Sequence, residues 1–224
     1  MKKFTYLFVI SVLMFGTQSC KKKGCMDSSA ANYNDEAKKD DGTCVYTPII
    51  TLVGAADTTI SVATEWADPG ATAANLDGAI VAVMDNSTVD ASEVGVYTIT
   101  YTATNDNGTT TVIRTVNVVV NQDSWLGDWS VSDNCGGGTG LALNGSPNII
   151  AGGNEEQILI TEFLSGVTGS YGTAICQIDG DAITIAPASD GAPGGLGDIN
   201  YSGFGTMNSN GLSFTITYTW QNTT

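Results

Sequence analysis

Few residues in this chain can do covalent or metal chemistry. The cysteines are Cys20, Cys25, Cys44, Cys135 and Cys176, and histidine is absent from all 224 residues. Without histidine there is no Ser-His-Asp or Cys-His nucleophile pair and no imidazole ligand for a metal. Carboxylates are abundant: 23 stand against 8 Lys and Arg, for a formal charge of −15. Acid pairs such as Glu155-Glu156 or Asp179 with Asp181 have the side-chain type that glycoside hydrolysis needs. That chemistry also needs a fixed separation across a substrate, and adjacent or turn carboxylates are ordinarily just solvated. No Gly-Lys-Ser/Thr phosphate loop and no Gly-x-Ser-x-Gly elbow occurs. The chain is therefore expected not to be an enzyme. From Gln122 onward there are 10 carboxylates and no Lys or Arg. Such a surface repels polyanions, which argues against nucleic acid as a partner.

Lys2 and Lys3 precede an apolar run from Phe4 to Gly16. Its 13 residues fall short of the roughly 20 that span a bilayer, and the pattern is that of a secretory signal. It ends Thr17-Gln18-Ser19-Cys20. This segment resembles a bacterial lipoprotein signal, whose lipobox closes on a small residue and then the cysteine that is lipidated. Ser19 and Cys20 match, while Thr17 stands where Leu is usual. The resemblance implies a signal peptide over residues 1–19, acylation (palmitate) at Cys20, and the membrane as a partner through that anchor. The expected place is the outer membrane, with the cell surface favoured over a periplasm-facing orientation. Acylation also accounts for the odd cysteine and leaves four for bridges rather than nucleophiles. Residues 20–24 form a lipidated, basic tether through Lys21, Lys22 and Lys23. Surface lipoproteins of the Bacteroidota often carry acidic residues at this place, so the lysines keep the periplasmic orientation open.

Residues 25–45 hold Cys25, Asp27, Ala31, Asn32, Tyr33, Asn34, Asp40, Asp41, Gly42, Thr43 and Cys44. They resemble a short Cys-bounded, Asp/Asn-rich repeat of secreted and surface proteins of the Bacteroidota. The segment has too little apolar surface for a core of its own, so a Cys25–Cys44 bridge is the expected staple. Asp27, Asn32, Asn34, Asp40 and Asp41 offer hard oxygen ligands that suit Ca²⁺. Their spacing is not that of an EF-hand, which needs a glycine at its sixth place and a terminal Glu. Two readings stand: a calcium site, the one cofactor entertained here, or Asx residues closing turns.

Between residues 46 and 121 the chain reads as strands. Tyr97, Ile99, Tyr101 and Ala103 alternate with Thr98, Thr100 and Thr102, as in a half-buried strand. Asn105-Asp106-Asn107-Gly108 is a hairpin turn, and Val112, Arg114, Val116, Val118 and Val120 share one face of the return strand. Short strands at regular spacing imply an antiparallel sandwich. The stretch resembles the bacterial Ig-like domain first named from a pesticidal crystal protein. Asp68-Pro69-Gly70-Ala71, Ala73, Asp77-Gly78, Gly95, Tyr97, Ile99, Tyr101, Ala103 and Gly108 match its pattern. Such modules are spacers and adhesive units. Trp66 is a candidate ligand platform, although a Trp beside a turn more often packs. Asp57-Thr58-Thr59 resembles a short O-glycosylation acceptor, and a turn is an equal reading.

Residues 122–224 read as a second antiparallel β domain, a small barrel or sandwich. Strand-like runs lie at 157–163, 173–178, 182–186, 199–207 and 212–220. Asp179-Gly180 and Asn210-Gly211 are hairpin signals. Leu212, Phe214, Ile216, Tyr218 and Trp220 share a face and are expected in the core. The opening Trp125-Leu126-Gly127-Asp128-Trp129 resembles that of small C-terminal β domains of Bacteroidota lipoproteins. Cys135 and Cys176 are expected to join the end of the first strand to a middle one. The whole chain is expected to be all-β: an Ig-like sandwich, then a second β domain, serving as a noncatalytic binding or adhesion module for a glycan or an envelope protein. The alternative is a structural spacer or assembly component. An accessory hydrolase ranks last.

Overall fold

The computed structural model describes residues 21–131, 147–163, 172–191 and 198–222. The signal region, Cys20 and Cys135 lie outside them. The described chain is all-β, with one helical turn, α1 (Gln122–Trp125). Among the described residues, those up to Thr51 form one compact unit together with Ala71–Met84 and Thr102–Thr111. The described residues within Leu52–Gly70, Asp85–Tyr101 and Val112–Thr224 form the other.

At the start of the described chain, β1 (Lys23–Gly24) pairs in parallel with β2 (Lys39–Asp40). The Cys25–Cys44 bridge closes this segment, as expected. Only Cys25, Ala30 and Ala37 are buried in it, so the crosslink stands in for a core.

The Ig-like strands fall into two sheets. β3 (Ile49–Leu52), β5 (Ala71–Ala74) and β6 (Ile80–Val81) make one. β4 (Asp57–Ser61), β7 (Val83–Ser87), β8 (Gly95–Asn105) and β9 (Gly108–Val119) make the other, in the order β4-β9-β8-β7. The period-two reading holds: Ile99, Tyr101 and Ala103 on β8 are buried, as are Arg114, Val116 and Val118 on β9. The β8–β9 hairpin turns at Asp106-Asn107, where Asn105 Oδ1 accepts the Asn107 N–H at 2.9 Å. β4 runs parallel to β9, from Asp57 opposite Thr115 to Ser61 opposite Val119. That pairing was not foreseen.

The terminal strands form an up-and-down meander of seven antiparallel strands, β10 (Gly127–Asp128), β11 (Asn148–Ala151), β12 (Gln157–Phe163), β13 (Gly172–Asp179), β14 (Ala182–Gly191), β15 (Asp198–Met207) and β16 (Phe214–Asn222). The sheet curls into a half-barrel. Its core holds Ile149, Ile158, Ile160, Phe163, Ala174, Cys176, Ile183, Ile185 and Trp125. Gly180 (φ 57°) and Gly211 (φ 67°) supply the left-handed residues of the two foreseen turns.

Three expectations change. Residues 121–124, whose sequence reads as a polar linker, are built into the fold: Gln122–Trp125 is helical, and Asn121 Oδ1 accepts the Ser61 hydroxyl at 2.8 Å. The face of β16 is only half-buried at Phe214, Ile216, Tyr218 and Trp220, and Leu212 is 69% exposed. β16 is last in the sheet order, with a strand neighbour on one side among the described residues. Cys176, expected to be bridged to Cys135, is a free and fully buried thiol on β13. Its side chain alternates inward beside Ala174 and Ile178, and its Sγ–H donates to the Ala174 carbonyl at 3.6 Å.

Candidate functional site

The five residues offered as calcium ligands all hydrogen-bond within the segment or to its flank, four of them in turns. Asp27 Oδ1 accepts the Ser29 N–H and hydroxyl at 2.9 and 2.7 Å, and its Oδ2 accepts the Tyr46 hydroxyl at 2.8 Å. Those bonds hold the Asp27 carboxyl below its ordinary range, the Ser29 hydroxyl contributing most. Asp40 Oδ1 accepts from Gly42 N–H, and Asp41 Oδ1 from Thr43. Asn32 bridges the ends of the segment, donating to Thr43 O and accepting from Val45 N–H. Asn34 Oδ1 accepts the Glu36 N–H. Among the described residues, no three acidic or thiol groups converge on one metal position. Asp27, Asn34, Asp40 and Asp41 each accept from the N–H two residues on, as in an Asx turn, whereas Asn32 bonds residues 11 and 13 positions away.

A second cluster was missed. Arg114 projects inward from β9 and is 1% exposed. Its Nη1 donates to Ala55 O at 2.8 Å, its Nη2 to Val53 O at 2.7 Å and to Gly70 O at 3.0 Å, and its Nε to the Tyr101 hydroxyl at 3.2 Å. Asp68 stands 3.3 Å from Nε and accepts the Tyr101 hydroxyl at 2.6 Å. Burial, then the bond to Asp68, pushes the Tyr101 hydroxyl above its ordinary pKa. A guanidinium suits this place because its planar fork of five donors can serve several acceptors at once. Asp68-Pro69-Gly70 is thus fastened to β8 and β9 from below. The cluster is saturated and holds a loop; it offers no open position for a substrate.

The open feature lies on the terminal meander. A groove of about 440 Å³ crosses β14, β15 and β16. A bulge in β14 between Ile185 and Ala188 breaks the register with β15 there. Beyond it, Ala188, Tyr201 and Trp220 lie in one cross-strand row, and Ser189, Asn200 and Gln221 in the next. Ser202 and Thr219, with hydroxyls 3.3 Å apart, form a third row, and Pro187 completes the lining. Phe163 supports this region from β12, its ring 5.3 Å from that of Tyr201 and 5.5 Å from that of Tyr218. None of the nine lining residues carries a charge, in a chain whose net charge is −15.

The other candidates lie elsewhere. Trp66 is half-buried between β4 and β5 and does not line the groove. Thr58 sits within β4, opposite Val116, and not in a turn. Cys176 has its thiol pushed up to about 12 by burial. A buried thiol of this kind is inert rather than nucleophilic. Sequence reasoning missed the groove because Ser189, Asn200, Ser202, Thr219 and Gln221 are polar types found on any solvated strand. The signal that could have found it is Pro187, since a proline inside a strand marks a bulge or an edge.

The described residues thus join an Ig-like sandwich to an antiparallel meander that carries an uncharged groove. Residues 50–118 match the family model described as the Ig-like domain of bacterial surface proteins. No curated protein matches the chain. Among solved structures, a lipoprotein of Bacteroides thetaiotaomicron aligns over 78% of this chain and 100% of its own. The identity is 18% and the TM-score 0.30, too low to establish a shared fold.

Proposed function

We propose that this is a noncatalytic envelope lipoprotein, anchored to the outer membrane through Cys20 and facing the cell exterior, whose terminal meander captures a ligand. The Ig-like sandwich stands between anchor and meander in the chain and serves as the spacer. The groove over β14–β16 carries the binding part of this reading, because it opens a volume of about 440 Å³ lined by uncharged residues, amides and hydroxyls among them. The surface-protein family of residues 50–118 supports the placement.

The test combines palmitate labelling with protease shaving of intact cells that carry a C-terminal tag. Label lost in Cys20→Ala, and tag lost on shaving, agree with the proposal. A tag that survives shaving while the label is present refutes outward display. A periplasm-facing structural role would then lead. Lys21, Lys22 and Lys23 directly after Cys20 favour that second reading.

A further inference from the structure

We infer that the groove over β14–β16 is a subsite for an uncharged carbohydrate chain. The inference rests on the binding function proposed above and names its ligand class. Three features point there. First, the polar side chains are amides and hydroxyls only: Asn200 and Gln221 each offer a donor and an acceptor, and Ser189, Ser202 and Thr219 offer hydroxyls that do both. A sugar hydroxyl is likewise donor and acceptor, so the sets match without regard to direction. Second, Phe204 follows Asn200 and Ser202 on their own face of β15 and is 65% exposed, while Tyr201 and Trp220 turn to the other face of the sheet. A phenyl ring presents an apolar face to the C–H side of a sugar while amides on the same face bond its rim. Third, charge excludes the competitors. A polyanion would bring its charges to a half-chain with 10 carboxylates and no Lys or Arg. A cationic ligand would meet no carboxylate in the lining.

Size points the same way. The groove's 440 Å³ lies within the roughly 300–1,000 Å³ of small-ligand sites. A stable protein partner would need about 800 Å² of surface on each side, far beyond these three rows of residues. The site has a natural extension. Phe204 shares the face of β15 with Asn200 and Ser202 by strand alternation and is 65% exposed. It stands two side-chain steps along the strand from Asn200, where a longer chain leaving the groove would meet its ring.

The test is affinity electrophoresis and titration calorimetry of the full mature chain against neutral glucan, mannan and arabinoxylan, with polygalacturonate and heparin as polyanions. Asn200→Ala and Gln221→Ala change exposed side chains and leave the fold intact, which circular dichroism checks; Gln177→Ala on β13 is the control outside the groove. At least one neutral polymer is expected to bind, with its dissociation constant weakened tenfold or more by either groove variant and unchanged by the control. Phe204→Ala should weaken a long polymer more than a trisaccharide of the same sugar. Binding of polyanions alone, lost in the groove variants, overturns the ligand class and leaves the binding function standing. Neutral-polymer binding that ignores Asn200→Ala and Gln221→Ala overturns the site. No binding to any of the five polymers overturns this inference; the binding function then falls only if a groove filled by Ser202→Trp also leaves capture of envelope proteins unchanged.

Discussion

Replacing Arg114 by methionine should unfold the Ig-like part of the chain well before the rest. The size of the effect follows from its bonds. The guanidinium serves three backbone carbonyls, of Val53, Ala55 and Gly70, and the Tyr101 hydroxyl, and it faces Asp68. Methionine fills similar space but donates nothing. Each carbonyl left dry costs about 1–3 kcal/mol. Asp68 loses less, because its side chain is 24% exposed and water replaces part of the pairing. Removing one partner from a buried ion pair costs about 3–5 kcal/mol in other proteins, and about 4 kcal/mol fits both routes. For a domain of this size that is a fall in Tm of roughly 15–30 °C. Arg114→Lys keeps the charge but not the fork, and should cost about 2 kcal/mol, because one ammonium cannot reach all the acceptors. Differential scanning calorimetry on the full chain separates the early transition from the late one. A methionine variant within about 1 kcal/mol of the parent, or a lysine variant as damaged as the methionine one, would refute the reasoning. Tyr101→Phe added to Arg114→Met should cost less than the sum of the two, since they share a bond.

Reducing the Cys25–Cys44 bridge should release residues 25–44, worth about 3 kcal/mol by loop entropy; trypsin should then cut at Lys38 or Lys39, and resistance in dithiothreitol would show that turns alone hold the segment. Cys176 should resist iodoacetamide in the native state and react once the chain is unfolded in urea. Its raised pKa also has a pH signature. Above about pH 9 the unfolded chain gives up the thiol proton while the folded chain keeps it up to about 12, so stability falls across that window. Cys176→Ala should have a shallower decline over the same range, and an identical slope would count against burial of the thiol. Gly211→Ala should destabilise the terminal meander by about 1–3 kcal/mol, because φ there is +67° and a Cβ would meet Val62 Cγ1 at 2.5 Å. Chemical denaturation of the two variants side by side reads both effects.

The period-two strands were legible because a buried face must repeat at every second residue whatever its neighbours are. Tyr97 to Ala103 and Val112 to Val120 are such runs, and they sit where alternation puts them. The Cys25–Cys44 bridge was legible because so few apolar residues lie between the two cysteines. Arg114 was read only as a member of a face. Nothing local says that a cation will point into a core, since its acceptors come from Val53, Ala55 and Gly70, residues distant in the chain. The parallel match of β4 with β9 hides for the same reason. The outer face of the terminal sheet was opaque in another way. Asn, Ser, Thr and Gln are so ordinary on solvated strands that only the bulge at Pro187 and the rows of the register give Asn200 and Gln221 a meaning. The half-burial of β16 depends on the order of strands, which alternation does not encode.

The parallel pairing of β4 and β9 bears on load. Asp57–Ser61 lies near the beginning of the Ig-like part and Thr115–Val119 at its end, and five residue pairs join them side by side. If the chain is held before β4 and pulled after β9, the two strands are drawn past each other lengthwise. All five pairs then resist together, whereas an antiparallel terminal pair would peel open one rung at a time. A tether that holds one end at a bilayer and the other on a polymer in flow meets that geometry, and the sandwich then behaves as a mechanical clamp whose strength is set by an unfolding rate rather than by equilibrium stability.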